Sequence, residues 1–505
     1  LFYKTYSAGI IGIDGFIVEV ETDLTKGLPQ YSLVGLPDSA VKESKERVRS
    51  AIRNSGFAFP LGRITINLAP ASLKKIGAAY DLAVAVGILS ASRQAPIQLD
   101  DRTLLIGELS LDGQIKPIRG ILPMALTAKK RGFTRIIVPL ENAPEASLSG
   151  LLTYPLEYLK DLPVVFKHPP YSARKLPFHS HSHSFNTNDY SAIIGQQQAK
   201  RALEIAASGS HHILMVGPPG SGKTLLASSL PSILPPLTVE QMIEVMKIYS
   251  AYGKTNHPMV NVRPFRAPHH SITSVGLIGG GALLKPGEIT LAHHGVLYLD
   301  EICEFPRQVL NLLRQPLEER RIELHRNRQI VSFPANFMLI GNMNPCPCGY
   351  FGFPDGIHQC RCGSPAIERY QNRISGPLLD RFDIRVEVPR QEIDPFHTQV
   401  EENPLQAIQK RVLSAIKWQE DRFSSGKRNS EMDLAEIKRF CIMSPKAKSM
   451  LRQVYQHFCL SHRGLHRILK LARTIADLDS SETIIEQHIA EAVQFRTQEK
   501  NIFSI

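Results

Sequence analysis

Two short stretches of this 505-residue chain carry residue types at spacings that suit phosphate chemistry. The first is Gly217-Pro218-Pro219-Gly220-Ser221-Gly222-Lys223-Thr224, with the apolar run Ile213-Leu-Met-Val216 before it and a helical pattern from Leu225 onward. Glycines let successive backbone N–H groups turn inward around phosphate oxygens, and the N-terminus of the following helix adds its positive dipole end. In that frame Lys223 reaches the β- and γ-phosphates of ATP, Thr224 offers a hydroxyl to Mg²⁺, and the whole run through Leu225 cradles the nucleotide. A chance glycine-rich turn would lack the strand and the helix. The second stretch, Val296-Leu-Tyr-Leu-Asp300-Glu301, is an apolar strand ending in paired acids. Asp300 suits the Mg²⁺, directly or through water, and Glu301 suits an attacking water that must be oriented and polarised. Strands often end in acids, so the phosphate loop upstream is what makes this pair informative.

A third apolar strand, 336–344, ends in Asn342 and Asn344 at the level where a γ-phosphate would sit. We expect Asn344 to sense that phosphate, with Asn342 competing for the role and plain turn-forming asparagines as the bland alternative. Two arginines complete the set. Arg381, in Gly376-Pro-Leu-Leu-Asp380-Arg381-Phe-Asp383, has no obvious partner in its own nucleotide site and suits an arginine finger that reaches into a neighbouring subunit. Arg463, in Ser461-His-Arg463-Gly-Leu-His-Arg467, opens a C-terminal helix and suits a contact to the γ-phosphate from a lid. A surface salt bridge is the competing role for either.

Parallel strands must hold these groups. From 190 to about 400 the chain reads as a strand–loop–helix series typical of a parallel sheet, and from 404 it becomes helical at 404–423, 433–441, 445–458, 464–478 and 482–497. Before it, 1–167 reads as an independent α/β or α+β domain, with strands at 16–22, 63–68, 104–111 and 135–139 and helices at 39–55 and 80–92. The Pro-, Ser- and His-rich stretch 168–189 is a linker; its His179, His181 and His183 suit solvent better than a metal. With 43% apolar and 21% charged residues, disordered and fibrous chains are excluded. The net charge of +12 is spread along the chain, so an anionic partner is permitted and not demanded. No apolar run is long enough to span a membrane, and the start Leu-Phe-Tyr-Lys shows no secretory pattern and no initiator Met. We expect a cytoplasmic protein that has lost a residue or two upstream.

Long strings in the chain resemble the ComM (YifB) family of magnesium-chelatase-like AAA+ ATPases: GLPDSAVKESKERVRSAI at 35–52, IIGQQQAKRALEIAASGSHHILMVGPPGSGKT at 193–224, FRAPHHSITSVGLIGGG at 265–281, ISGPLLDRFD at 374–383 and RGLHRILKLARTIADLD at 463–479. The resemblance implies an α/β AAA+ core with a C-terminal helical lid, assembled as a homo-hexamer. It implies an ATP-driven DNA helicase that promotes branch migration of recombination intermediates, helping to integrate single-stranded DNA in natural transformation; recombination proteins are possible partners. It supports Lys223, Thr224, Asp300, Glu301 and Arg381 in the roles above, and Arg463 as a second sensor. The alternative is a chelatase-type ATPase that remodels a protein partner.

Residues 1–167 are similar to the Lon-protease-like fold, related to the ribosomal S5 type. Alignment of the Lon motifs puts Ala79 at the nucleophilic serine and Leu122 at the lysine, so the Ser–Lys dyad is missing and proteolysis fails on chemistry. Lys74 and Lys75 suit a solvated pair better than a phosphate contact. Cys346-Pro-Cys348 and Cys360-Arg-Cys362 bracket a glycine-rich loop and suit structural Zn²⁺, with His358 as a possible substitute ligand. The segment from Arg320 to Val331 reads as a hairpin after a helix at 307–319, with Asn327 near the turn. Its Arg326 and Arg328 suit DNA phosphates in a pore, against salt bridges to Glu318, Glu319 and Glu323. His269 and His270 suit pore contacts or packing equally.

Overall fold

A computed structural model gives the fold and describes residues 1–94, 99–172, 190, 193–253, 262–281, 284–326, 329–353, 358–391, 404–423, 426–458 and 460–497. His179, His181 and His183 lie outside the described residues, as does Arg328.

The N-terminal part is a seven-stranded mixed sheet in the order Gln30–Val34, Arg63–Ala69, Asp14–Thr25, Phe2–Ile11, Thr103–Leu105, Arg135–Pro139, Leu152–Leu156. Alternation builds it: Asp14–Thr25 turns Val18, Val20 and Thr22 inward, all fully buried. The central strand Phe2–Ile11 was not expected, because Thr5, Ser7 and Ala8 break the apolar rhythm. Thr5 and Ser7 are buried beneath the helix Asp81–Ala91, where Thr5 donates to the Ala83 carbonyl at 3.0 Å, and Ala8, on the opposite face, packs with Ile121, Met124 and Ala125. The strand expected at 104–111 is broken: after Leu105 the chain leaves the sheet, Gly107 donates to Ala79, and a separate ladder pairs Glu108–Leu109 with Ile115–Lys116. Lys75 also departs from expectation. It is fully buried and donates to the Pro70 carbonyl, while Lys74 alone is solvated.

The core that follows is a five-stranded, all-parallel sheet in the order Phe265–Arg266, Val296–Leu299, Met338–Met343, Ile213–Val216, Ile384–Glu387. Its inner strands are apolar throughout, as a sheet covered on both faces requires. The strand order puts Met338–Met343 between the phosphate-loop strand and the acid-bearing strand, so the ends of all three converge. The helix expected at 307–319 is two shorter ones, Arg307–Asn311 and Arg314–Glu319. Five C-terminal helices, Pro404–Arg422, Leu434–Phe440, Pro445–His457, His462–Leu478 and Glu486–Thr497, follow the sequence pattern within a few residues.

The N-terminal domain docks on the core. Gly120 donates to the Ser250 carbonyl at 3.0 Å, Lys247 pairs with Asp14, and Ile13 joins the apolar cluster of Val331 and Phe333. Gly12 at that contact has φ +62°, and a Cβ there would lie 2.4 Å from Val331. The hairpin of Arg321–Arg326 and Gln329–Pro334 therefore has one face clamped under the N-terminal domain. Among the described residues no helix is long and apolar enough to cross a membrane.

Candidate active site

The phosphate loop connects the buried strand Ile213–Val216 to the helix Lys223–Ile233, with Gly220 and Gly222 in the left-handed region at φ +74° and +86°. Lys223 is buried, and its Nζ donates to the carbonyls of Gly217 at 2.8 Å and Pro218 at 2.7 Å and to Ser221 Oγ at 3.3 Å. Of the remaining loop residues, Pro219 and Gly220 are exposed, and Leu225 packs on the core. Gln196, in the left-handed region at φ +54°, braces the loop from outside by donating to Ser221 O at 3.3 Å and Pro389 O at 2.7 Å.

A hydrogen-bond chain ties the loop to the acidic strand. Asn342 Nδ2 donates to Tyr298 Oη at 3.2 Å and to Asp300 Oδ1 at 2.6 Å. Tyr298 donates to Thr224 Oγ1 at 3.2 Å, and Thr224 donates to Asp300 Oδ2 at 3.3 Å. Oxygens on neighbouring vertices of an Mg²⁺ octahedron lie about 2.9 Å apart, so Thr224 and Asp300 fit one edge after a small closure. Tyr298 was missed in the sequence, although period-two alternation puts it on the same strand face as Asp300. Glu301 is exposed just past the strand in a left-handed conformation, φ +49° and ψ +51°, which is uncommon outside glycine and concentrated at functional sites. Asn344 is half-buried beyond the end of its strand.

Burial pushes Lys223 down to about 8, against the opposing pull of Asp300 and Glu301. A bound phosphate restores the charge, so binding above that pH takes up a proton. ATP affinity is thus expected to be flat below about pH 8 and to fall above it, by up to about tenfold per pH unit. Nucleotide titrations from pH 7 to 9.5 check this, and an affinity flat to pH 9.5 would contradict it.

Arg381 and Arg463 lie elsewhere. Arg381 immediately precedes the strand Ile384–Glu387, whose Ile384 is level with Ile213, at the end of the sheet away from the phosphate loop. Roughly 10 Å of strand separates that end from the loop. Arg381 is 7% exposed, pairs with Glu318 at 2.5 Å and donates to the Pro377 carbonyl, while its Nε has no acceptor. Arg463 is exposed and close enough to Arg381 to repel it, and Arg467 one turn on bonds Asp383 at 2.9 Å. The helix that carries Arg463 is therefore docked at the far end of the sheet, away from the phosphate loop of its own copy.

The four cysteines form one cluster. Cys346 Sγ lies 3.3 Å from Cys348 and 3.7 Å from Cys360, Cys348 lies 3.6 Å from Cys360, and all four sulfurs, with Cys362, fall within 4.8 Å of one another. Tetrahedral zinc at about 2.3 Å from each sulfur separates them by roughly 3.8 Å, so the cluster fits such an ion. Phe351 N–H points at Cys346 Sγ at 3.4 Å, as suits a thiolate. His358 instead stacks on Tyr350, with centroids 4.7 Å apart. The loop also touches the phosphate loop: a Cβ on Gly349, at φ +89°, would lie 2.6 Å from the Pro219 ring.

Glu244, His293 and His294 also converge, with Glu244 Oε2 at 3.2 Å and 2.7 Å from the two Nε2 atoms. His293 Nδ1 accepts Asn336 N–H at 3.0 Å, so its Nε2 carries the proton and donates to Glu244. A protonated nitrogen is no metal ligand, and this trio is a structural hydrogen-bonded group. His270 packs edge-on to Phe305, and His269 is exposed beside Ser271. Ala79 and Leu122 are both buried among apolar neighbours, with no nucleophile at either position. In the hairpin, Glu319 and Glu323 pair with Arg321 at 3.7 Å and 3.1 Å; of Arg326 only the backbone register is described.

Models of the magnesium chelatase subunit ChlI match residues 189–395 and 20–142, and a model of its C-terminal region matches 402–496. The chain is 42% identical to competence protein ComM of Haemophilus influenzae, over 97% of this chain and 96% of that one. It is 40% identical to YifB of Escherichia coli over 97% and 96%. Lon protease 2 of Bacillus subtilis is 32% identical over 25% of this chain and 26% of its own. The chain belongs to the ComM/YifB family of magnesium-chelatase-like AAA+ ATPases, enzymes that use ATP and Mg²⁺ and hydrolyse the ATP to drive motor or remodelling work.

Proposed function

We propose that this chain works as a ring, a hexamer, in which each ATP lies between two copies, and that the ring is a DNA motor promoting branch migration of recombination intermediates. Within one copy, Lys223 holds the β- and γ-phosphates, Thr224 and Asp300 hold Mg²⁺, and Glu301 takes a proton from the attacking water. Asn342 has its amide engaged by Asp300 and Tyr298, which leaves Asn344 as the γ-phosphate sensor. The single observation that carries the ring is the separation of Arg381 and Arg463 from their own phosphate loop. Two neighbouring arginines at the far end of the sheet have an ATP to act on only in the next copy.

The DNA reading is supported by the hairpin, whose first strand ends at Arg326, and by the likeness to a relative described as a competence protein. The four cysteines hold structural Zn²⁺ in this reading, bracing the loop that touches Pro219. Treatment with a zinc chelator and a mercurial is expected to release one zinc per chain and to weaken ATP binding. A chain that contains no zinc when purified would contradict the assignment.

Steady-state ATPase rates with single-stranded, duplex and four-way-junction DNA over a salt series test the motor. Salt-sensitive stimulation, greatest on the junction, is expected, and Arg326→Ala with Arg328→Ala should weaken the coupling and flatten its salt slope. A rate indifferent to every DNA would favour remodelling of a protein partner instead.

A further inference from the structure

At the end of the core sheet opposite the phosphate loop, a cavity of about 460 Å³ opens between the core and the C-terminal helices. Small-molecule sites commonly span about 300–1,000 Å³. His212, Gly295 and Met338, at the starts of core strands, form one wall, and residues of 426–431 and 467–470 form the other.

Its charge is unbalanced. Seven lysines and arginines line it against three carboxylates. Each carboxylate is already engaged, Glu318 with Arg381, Asp383 with Arg467 and Glu431 with Arg320; Lys427 and Arg428 pair outside the lining, with Glu436 at 2.8 Å and Glu420 at 3.5 Å, so the surplus is Arg263 and Lys470. Arg263 bonds only oxygens of neutral groups, the carbonyls of Pro235, Pro236 and His294 and the Gln241 amide, and Lys470 bonds only the Ser430 carbonyl, at 2.9 Å. Two further donors, Arg428 Nη1 and Arg381 Nε, are buried without an acceptor. Surplus cations and surplus donors in a partly dry cleft are costly unless an anion with several oxygens arrives. A polyphosphate supplies them with the geometry arginine matches best. Burial correspondingly pushes Arg263 down to about 10 and lowers Lys470 and Arg428.

We propose that this cavity is a second phosphate-binding site, separate from the phosphate loop, in which Lys470, Arg428 and Arg263 grip a polyphosphate chain. The phosphates come either from a free nucleotide or polyphosphate, or from the ATP of a neighbouring copy; only the latter source rests on the ring proposed above.

Inorganic tripolyphosphate titrated calorimetrically into the full chain carrying Lys223→Ala separates the two. One tripolyphosphate bound per chain at a concentration where the chain is monomeric assigns the free source. Loss of that binding by about tenfold or more in Lys470→Ala with Arg428→Ala, at an unreduced melting temperature, is expected. If Lys223→Ala binds none, the neighbour's ATP is the source, and the same pair of substitutions in the otherwise native chain must weaken ATP-driven assembly by about tenfold or more, while each monomer still binds ATP. Binding that survives the double substitution would overturn the proposal, as would no tripolyphosphate binding together with unchanged assembly. The part of the native monomer's ATP binding that Lys223→Ala removes reports on the phosphate loop, so failure of that site is read apart from failure of this one.

Discussion

Arg381→Ala is expected to leave ATP binding within a few-fold of the native chain while hydrolysis drops by about 10³-fold or more, the range of arginine fingers in other phosphoryl-transfer enzymes. The binding half follows from distance. Arg381 lies at the opposite end of the sheet from Lys223, so its own copy's phosphates lose no contact. The hydrolysis half follows from charge: the developing negative charge on the transferred phosphoryl group would lose its counter-charge. Glu318, which holds Arg381 at 2.5 Å, must release it or move with it when two copies meet. Glu318→Gln should therefore alter the rate without altering ATP affinity. Equilibrium binding of a fluorescent ATP analogue and steady-state turnover separate the two quantities. A native rate in Arg381→Ala would remove the shared site.

Glu301→Gln is the second large effect. The amide keeps the size and exposure of the side chain but cannot accept a proton from water, so hydrolysis should fall by about 10²–10⁴-fold. Thr224, Asp300, Tyr298 and Asn342 are linked without Glu301's side chain, so the substitution leaves the metal and phosphate contacts standing. ATP should accumulate uncleaved and hold the assembly together during gel filtration, under conditions where turnover should let the native assembly dissociate. Rapid hydrolysis by Glu301→Gln would move the base to another residue.

The phosphate loop and both flanking elements were legible because a single local string dictates them: an apolar strand, glycines that tolerate positive φ, then a helix. The C-terminal helices were legible for a similar reason, as their apolar period is local. What was hidden depends on distant packing. Thr5, Ser7 and Ala8 look polar or neutral in sequence, yet small side chains are what the central strand needs between helices packed on its two faces. Lys75 looks like half of a solvated pair, and only the tertiary fold closes over it. Tyr298 reads as an ordinary strand aromatic until the strand order brings Thr224 to its hydroxyl. Arg463 carries a suggestive local context, but only the docked helix, with Arg467 on Asp383, shows that it lies away from the phosphate loop of its own copy.

In the proposed ring one copy binds the ATP and another completes the site. Mixing Lys223→Ala chains, which keep Arg381 but hold no ATP at the phosphate loop, with Arg381→Ala chains, which hold ATP there but lack the arginine, tests it directly. Each alone should be inactive, and the mixture should recover ATPase activity, rising to a maximum near equal proportions. A mixture as inactive as its components, under conditions where the two chains demonstrably co-assemble, would contradict the account.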